Sequence, residues 1–142
     1  PSENKDLEIS KERAKNLNQK ERSAIEEWIR QQNKTFYPMT LNYWADIDLK
    51  KRSPAPKNQP ISYQYDLYDF GNEKIYNKPI KKEEVLPGKY LELKSVEDAV
   101  KYLKNGEEVT LLVPSVLAYG TYGDGHKITN DIPLMIRLKK TQ

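Results

Sequence analysis

The chain has no cysteine and a single histidine, His126. A disulfide framework, a thiolate nucleophile and a Cys/His zinc site are thereby excluded together, and a Ser-His-Asp triad would have to use His126. No apolar run approaches the ~20 residues that a membrane-spanning helix needs. Charge of one sign is also scarce: 24 Lys and Arg face 21 Asp and Glu, for a net charge of +3. Residues 1–60 carry 12 basic and 9 acidic groups and residues 61–142 carry 12 of each, so the C-terminal part has no nucleic-acid charge footprint. Leu, Ile, Val and Phe together make 32 of the 142 residues, enough for a modest core. That length suits one domain, or one domain plus an appendage.

From Ser10 to Asn33 there is neither Pro nor Gly, and Leu17, Ala24, Ile25, Trp28 and Ile29 recur near the 3.6-residue period of an amphipathic helix. Asn18 and Glu21 have the spacing of a capping box, which predicts a firm helix from Asn18 behind a frayed Ser10–Leu17. Pro1–Ser10 is expected to be extended or mobile. The division is then 1–35, tail and helix, and 36–142, a folded domain. The helix is expected to dock near Phe36–Trp44 on its own domain, with a dimerisation arm as the rival reading.

Alternation predicts a strand over Met39–Leu49 and another over Ile61–Phe70, with a turn at Phe70–Glu73 and a returning strand at Lys74–Tyr76. The Pro-rich segment 50–60 reads as a loop, as does the stretch with Pro79 and the charge run Lys81–Glu84. Past Pro87-Gly88 and Tyr90-Leu91-Glu92-Leu93, a helix is predicted over Ser95–Asn105, with Ser95 as N-cap and Gly106 closing it. Strands follow at Glu108–Pro114 and Ile132–Leu138, separated by a Gly-rich loop. The fold class is α+β: an antiparallel sheet on one short helix, with an additional N-terminal helix.

The run Gly106-Glu107-Glu108-Val109-Thr110-Leu111-Leu112-Val113-Pro114-Ser115-Val116-Leu117-Ala118-Tyr119-Gly120 resembles the FKBP-type peptidyl-prolyl cis-trans isomerases. The likeness extends back to Tyr63 and Tyr65 and forward to Ile128 and the last strand. With Tyr43-Trp44 and the leading helix, the chain looks like the gliding-motility-associated FKBP-like lipoproteins of Bacteroidetes. The resemblance implies an FKBP-like fold and rotamase activity on X-Pro bonds, assisting the folding of exported proteins. Its alternative is a catalytically weak or inactive FKBP-fold binding module or chaperone for an envelope protein.

The chemistry so implied suits the missing residue types, because rotating an amide against its lost resonance makes and breaks no covalent bond. Carried over residue by residue, the resemblance puts Tyr65 and Tyr119 in the catalytic role and Leu93 and Ile128 on the substrate. Ile75 and Tyr76 stand where the family has phenylalanine and aspartate, Val96 where it has the floor tryptophan, and Ile136 where it has a last-strand phenylalanine. Asp66 or Asp69 is the candidate to replace the missing carboxylate. No cofactor, metal or nucleic acid is implied. Expected partners are proline-containing polypeptides, with an envelope protein or a second copy held through the N-terminal helix. Since the matching lipoproteins are anchored at a cysteine, a leader and anchor are expected upstream of Pro1, placing the domain in the periplasm-facing envelope. His126, with no second imidazole in the chain, reads as solvent-exposed or as hydrogen-bonding within the flap rather than catalytic, and Gly120–Gly125 reads as a flexible flap, because no helix signal follows the glycines.

Overall fold

A computed structural model describes residues 2–87 and 92–142 of the chain. Helix α1 spans Ser2–Arg30. Strands β1 (Tyr37–Pro38), β2 (Trp44–Ala45), β3 (Ile61–Tyr68) and β4 (Ile80–Val85) follow, then helix α2 (Lys94–Val100) and strands β5 (Glu108–Val113) and β6 (Leu134–Lys140). Among the described residues these strands form one six-stranded antiparallel sheet in the order β1-β2-β5-β6-β3-β4.

Strand alternation makes the sheet two-sided. The row Ala45, Leu111, Ile136 and Leu67 points to the face that packs on α2, where Val96, Ala99, Val100 and Leu103 complete the main core. The adjacent row Trp44, Leu112, Met135 and Tyr68 points the other way and is covered by α1. Ile25, Trp28 and Ile29 lie one turn apart on a single stripe of α1, and they meet Phe36, Trp44 and Phe70. Helix α1 therefore docks on the outer face of its own sheet, against the Phe36–Trp44 segment.

Several sequence expectations are corrected. The first ten residues are not extended: α1 runs without interruption from Ser2, and no helix begins at Asn18. Only Trp44–Ala45 of the Met39–Leu49 stretch is strand, because Asn42 takes a left-handed turn (φ 68) and the chain doubles back, Met39 N–H donating to Tyr43 O at 2.7 Å. Residues 74–76 contribute a single bridge, Tyr68 to Lys74, and the strand partner of β3 is Ile80–Val85, which includes the charge run read as loop. Helix α2 stops at Val100, and Gly106 (φ 82) serves the turn into β5 instead. Ser95 caps nothing; its Oγ points to Leu117 O at 3.5 Å. The closing strand starts at Leu134, two residues later than Ile132. Gly88, Tyr90 and Leu91, on the approach to α2, lie outside the described residues.

Candidate functional site

Tyr65 is central on β3, between β4 and β6, and alternation turns it into the core, where it is 1% exposed. A buried phenol needs a partner, and its hydroxyl donates to Glu92 Oε2 at 2.5 Å. Burial first, and that bond second, push the Tyr65 phenol far above its ordinary value, so it is a permanently protonated donor whose hydrogen is already committed.

Tyr119 sits past the end of β5. Pro114 directs the chain out of the strand, and a single 3-10 turn, Ser115–Leu117, carries it to Ala118. The carbonyl of Ser115 accepts both Ala118 N–H (3.0 Å) and Gly120 N–H (2.8 Å), so the backbone is pinned on either side of Tyr119. The ring is half-buried against the core. Burial, followed by the negative charges of Glu92 and Asp124, raises its phenol well above the usual tyrosine value. Among the described residues nothing accepts a hydrogen bond from its hydroxyl. Of Tyr65 and Tyr119, it is the one whose hydroxyl is uncommitted.

The loop after Tyr119 is folded around Asp124. One carboxylate oxygen accepts His126 N–H (2.9 Å) and Ile128 N–H (3.1 Å), and the other accepts the Tyr76 hydroxyl. Burial opposes ionisation here, but these hydrogen bonds outweigh it and hold the Asp124 carboxyl below its ordinary value. The Tyr76 oxygen in turn accepts Lys127 N–H at 3.1 Å. Gly123 (φ 68) is required at the turn: a Cβ there would lie 2.3 Å from the Ile128 carbonyl oxygen.

The structure brings Tyr65, Leu93, Val96, Ile128 and Ile136 into one core cluster, with Ile75, Tyr76 and Tyr119 packed half-buried at its margin. Leu93, Val96, Ile128 and Ile136 are only 0–3% exposed. Tyr76 braces the flap through its hydroxyl, which meets Asp124 and Lys127 N–H. The expected substitute carboxylates are elsewhere. Asp66 pairs with Arg137 across the strands and lies 3.5 Å from Lys74 Nζ, whereas Asp69 closes the hairpin by accepting Gly71 and Glu73 N–H. Among the described residues three carboxylates accept tyrosine hydroxyls, Asp98 from Tyr43, Glu92 from Tyr65 and Asp124 from Tyr76; the last two serve the tyrosines of the site, and of them only Asp124-Gly125 carries a local sequence signal, that of an Asx turn. His126 is exposed and contributes its backbone N–H.

The arrangement is a phenol donor beside an apolar wall. A carbonyl brought to it would lose water and gain one hydrogen bond at a fixed point.

No family model matches the chain, and no curated protein matches it in sequence. Solved structures do match. A peptidyl-prolyl cis-trans isomerase from Pseudomonas syringae aligns over 90% of this chain and 93% of its own, with TM-score 0.64 and 13% identity. FkpA from Escherichia coli aligns over 96% of this chain and 63% of its own, with TM-score 0.64 and 14% identity. AtFKBP13 aligns over 76% of this chain and 98% of its own, with TM-score 0.59 and 18% identity. The sheet, the helix across it and the tyrosine-bearing loop after β5 thus make up the FKBP-like α+β fold, and this chain has it.

Proposed function

We propose that this domain binds proline-containing polypeptide segments and rotates the X-Pro amide, acting as a modest peptidyl-prolyl isomerase. The observation that carries this is the Tyr119 hydroxyl, protonated and without an acceptor among the described residues, beside the apolar cluster of Leu93, Val96, Ile128 and Ile136. Rotation must cross a barrier of ~18–20 kcal/mol that comes from amide resonance. A twisted amide is less polar than a planar one, so a site that strips water from it lowers that barrier, and a donor fixed on its carbonyl adds to the effect where it binds the twisted form better. One neutral hydrogen bond contributes ~1 kcal/mol, or roughly fivefold in rate. Valine and isoleucine in place of aromatic rings remove contact area on the proline, which sets the expected efficiency low.

The burial of that cluster favours a second reading, a polypeptide-binding module without rotamase activity. Exchange spectroscopy on Xaa-Pro tetrapeptides separates the two: cis-trans exchange that accelerates in proportion to protein concentration supports the isomerase. Peptide-induced shifts without acceleration support the module. On the resemblance noted above, the site of action we propose is the periplasm-facing envelope with a lipid anchor, and the clients are exported proteins. Recovery of the full-length gene product from the cytoplasmic fraction would overturn that placement.

A further inference from the structure

Glu21 falls on the same stripe of α1 as Ile25 and Trp28, one turn earlier, and is 8% exposed. A carboxylate at that depth is costly unless charge-assisted hydrogen bonds replace its water. Both of its oxygens have partners 94 positions away in sequence: Oε1 accepts Ser115 N–H at 2.7 Å and Oε2 accepts Ser115 Oγ–H at 2.6 Å. Ser115 is itself 3% exposed. Its carbonyl is the acceptor that pins Ala118 and Gly120 around Tyr119. From the opposite side, Ser95 Oγ of α2 reaches the carbonyl of Leu117 in the same short turn. The segment that presents Tyr119 is therefore gripped between the two helices, and α1 supplies the charged half of the grip.

We propose that Glu21 is a positioning residue for Tyr119. The N-terminal helix is then part of the site: through Ser115 it fixes where the phenol hydroxyl stands. The inference rests on the reading of Tyr119 as the substrate donor, but its structural half can be measured without any activity.

The test uses the full chain with Glu21→Ala, Glu21→Gln and Tyr119→Phe, singly and in the combination Glu21→Ala/Tyr119→Phe. By hydrogen exchange, Glu21→Ala should expose the amides of Ala118 and Gly120 by about tenfold or more while those of β6 keep their protection. Glu21→Gln, whose amide carbonyl still accepts Ser115 N–H, should restore most of that protection. In the tetrapeptide assay Glu21→Ala should lower kcat more than it raises KM, by about fivefold to tenfold in kcat/KM, and should have no further effect once Tyr119 is Phe. A purely structural role for Glu21 predicts equal losses in both backgrounds, and that result would overturn the proposal. So would unaltered exchange at Ala118 and Gly120 in Glu21→Ala. If Glu21→Ala does not fold, Ser115→Ala removes only the Oγ bond and should show the same pattern more weakly; no change in either readout then overturns the proposal. An inactive wild type whose Glu21→Ala variant still loses loop protection refutes the isomerase reading and leaves the grip itself standing.

Discussion

The phenol of Tyr65 donates to the carboxylate of Glu92 at 2.5 Å, across 27 positions of sequence. That bond decides which tyrosine is left for a substrate. With Tyr65 committed, Tyr119 is the one of the two whose hydroxyl can meet an incoming carbonyl. Replacing Tyr119 by Phe should lower kcat/KM by about fivefold to tenfold with little change in thermal stability. Replacing Tyr65 by Phe should do the reverse, costing ~1–2 kcal/mol of stability because Glu92 loses its short hydrogen bond, with the smaller effect on rate. Paired tetrapeptide assays and thermal melts check both, and the opposite ranking would remove Tyr119 from its role.

The elements legible in the sequence are those whose pattern and burial agree. β3 alternates and has one face in the core; β5 is an apolar run between Glu108 and Pro114. β4 was invisible because it is an edge strand, where lysines and glutamates on both faces are normal and Lys81–Glu84 looks like loop. The Met39–Leu49 alternation misled because a left-handed Asn42 divides it, and the positions that looked like one face are shared between a hairpin and a loop. At the site, the apolar residues were nominated because resemblance carries their order along the chain. Glu21, Glu92 and Asp124 were not, because a carboxylate's spacing says nothing of a partner 94, 27 or 48 positions away. The capping-box spacing of Asn18 and Glu21 marks no helix start, since α1 runs unbroken through both.

The docking of α1 predicts a sharp division along the helix. Trp28 lies edge-on to Phe36 (5.6 Å) and Phe70 (5.4 Å), and removing its ring should cost ~2–3 kcal/mol by lost apolar burial. Leu7 and Ile9, at 56% and 65% exposed, contribute little. Thermal melts of Trp28→Ala should thus show a clear loss, whereas deleting residues 1–17 should leave the midpoint nearly unchanged. A Trp28→Ala protein that keeps its midpoint but passes from dimer to monomer would show instead that the stripe binds a second copy.

Acid should weaken the fold through two carboxylates. The bidentate hydrogen bond from Arg52 holds Glu107 below its ordinary value of 4.5, and Asp124 is held below 3.8 despite the opposing effect of burial. A group depressed in the folded state binds its proton more readily when unfolded. Its stabilisation is complete above the unfolded value and disappears as pH falls through the folded one. Glu107→Gln should therefore be less stable than wild type by ~1 kcal/mol near neutrality, and the two unfolding curves should converge as the pH falls below the ordinary glutamate value of 4.5 and through the depressed folded one. Curves that stay parallel throughout the acid range would mean that Glu107 titrates normally.

The flap offers a comparison of two glycines with nearly the same backbone and opposite surroundings. Gly123 has φ 68 and Gly125 has φ 79, so an alanine at either incurs a left-handed cost of ~1–2 kcal/mol. At Gly125 that is the whole cost, since nothing lies within 4 Å of an added Cβ. At Gly123 the Cβ would also sit 2.3 Å from the Ile128 carbonyl oxygen and 2.7 Å from that of Thr129, both backbone atoms that cannot step aside alone. The turn must then open. Opening it pulls Ile128 N–H from Asp124 and releases the Tyr76 hydroxyl that shares that carboxylate. Gly123→Ala should accordingly lose hydrogen-exchange protection at Ile128 and return the Asp124 carboxyl toward its ordinary value in an NMR titration, whereas Gly125→Ala should lower stability without either change. Equal effects from the two substitutions would show that backbone strain alone governs the flap, and that the network around Asp124 does not hold it in place.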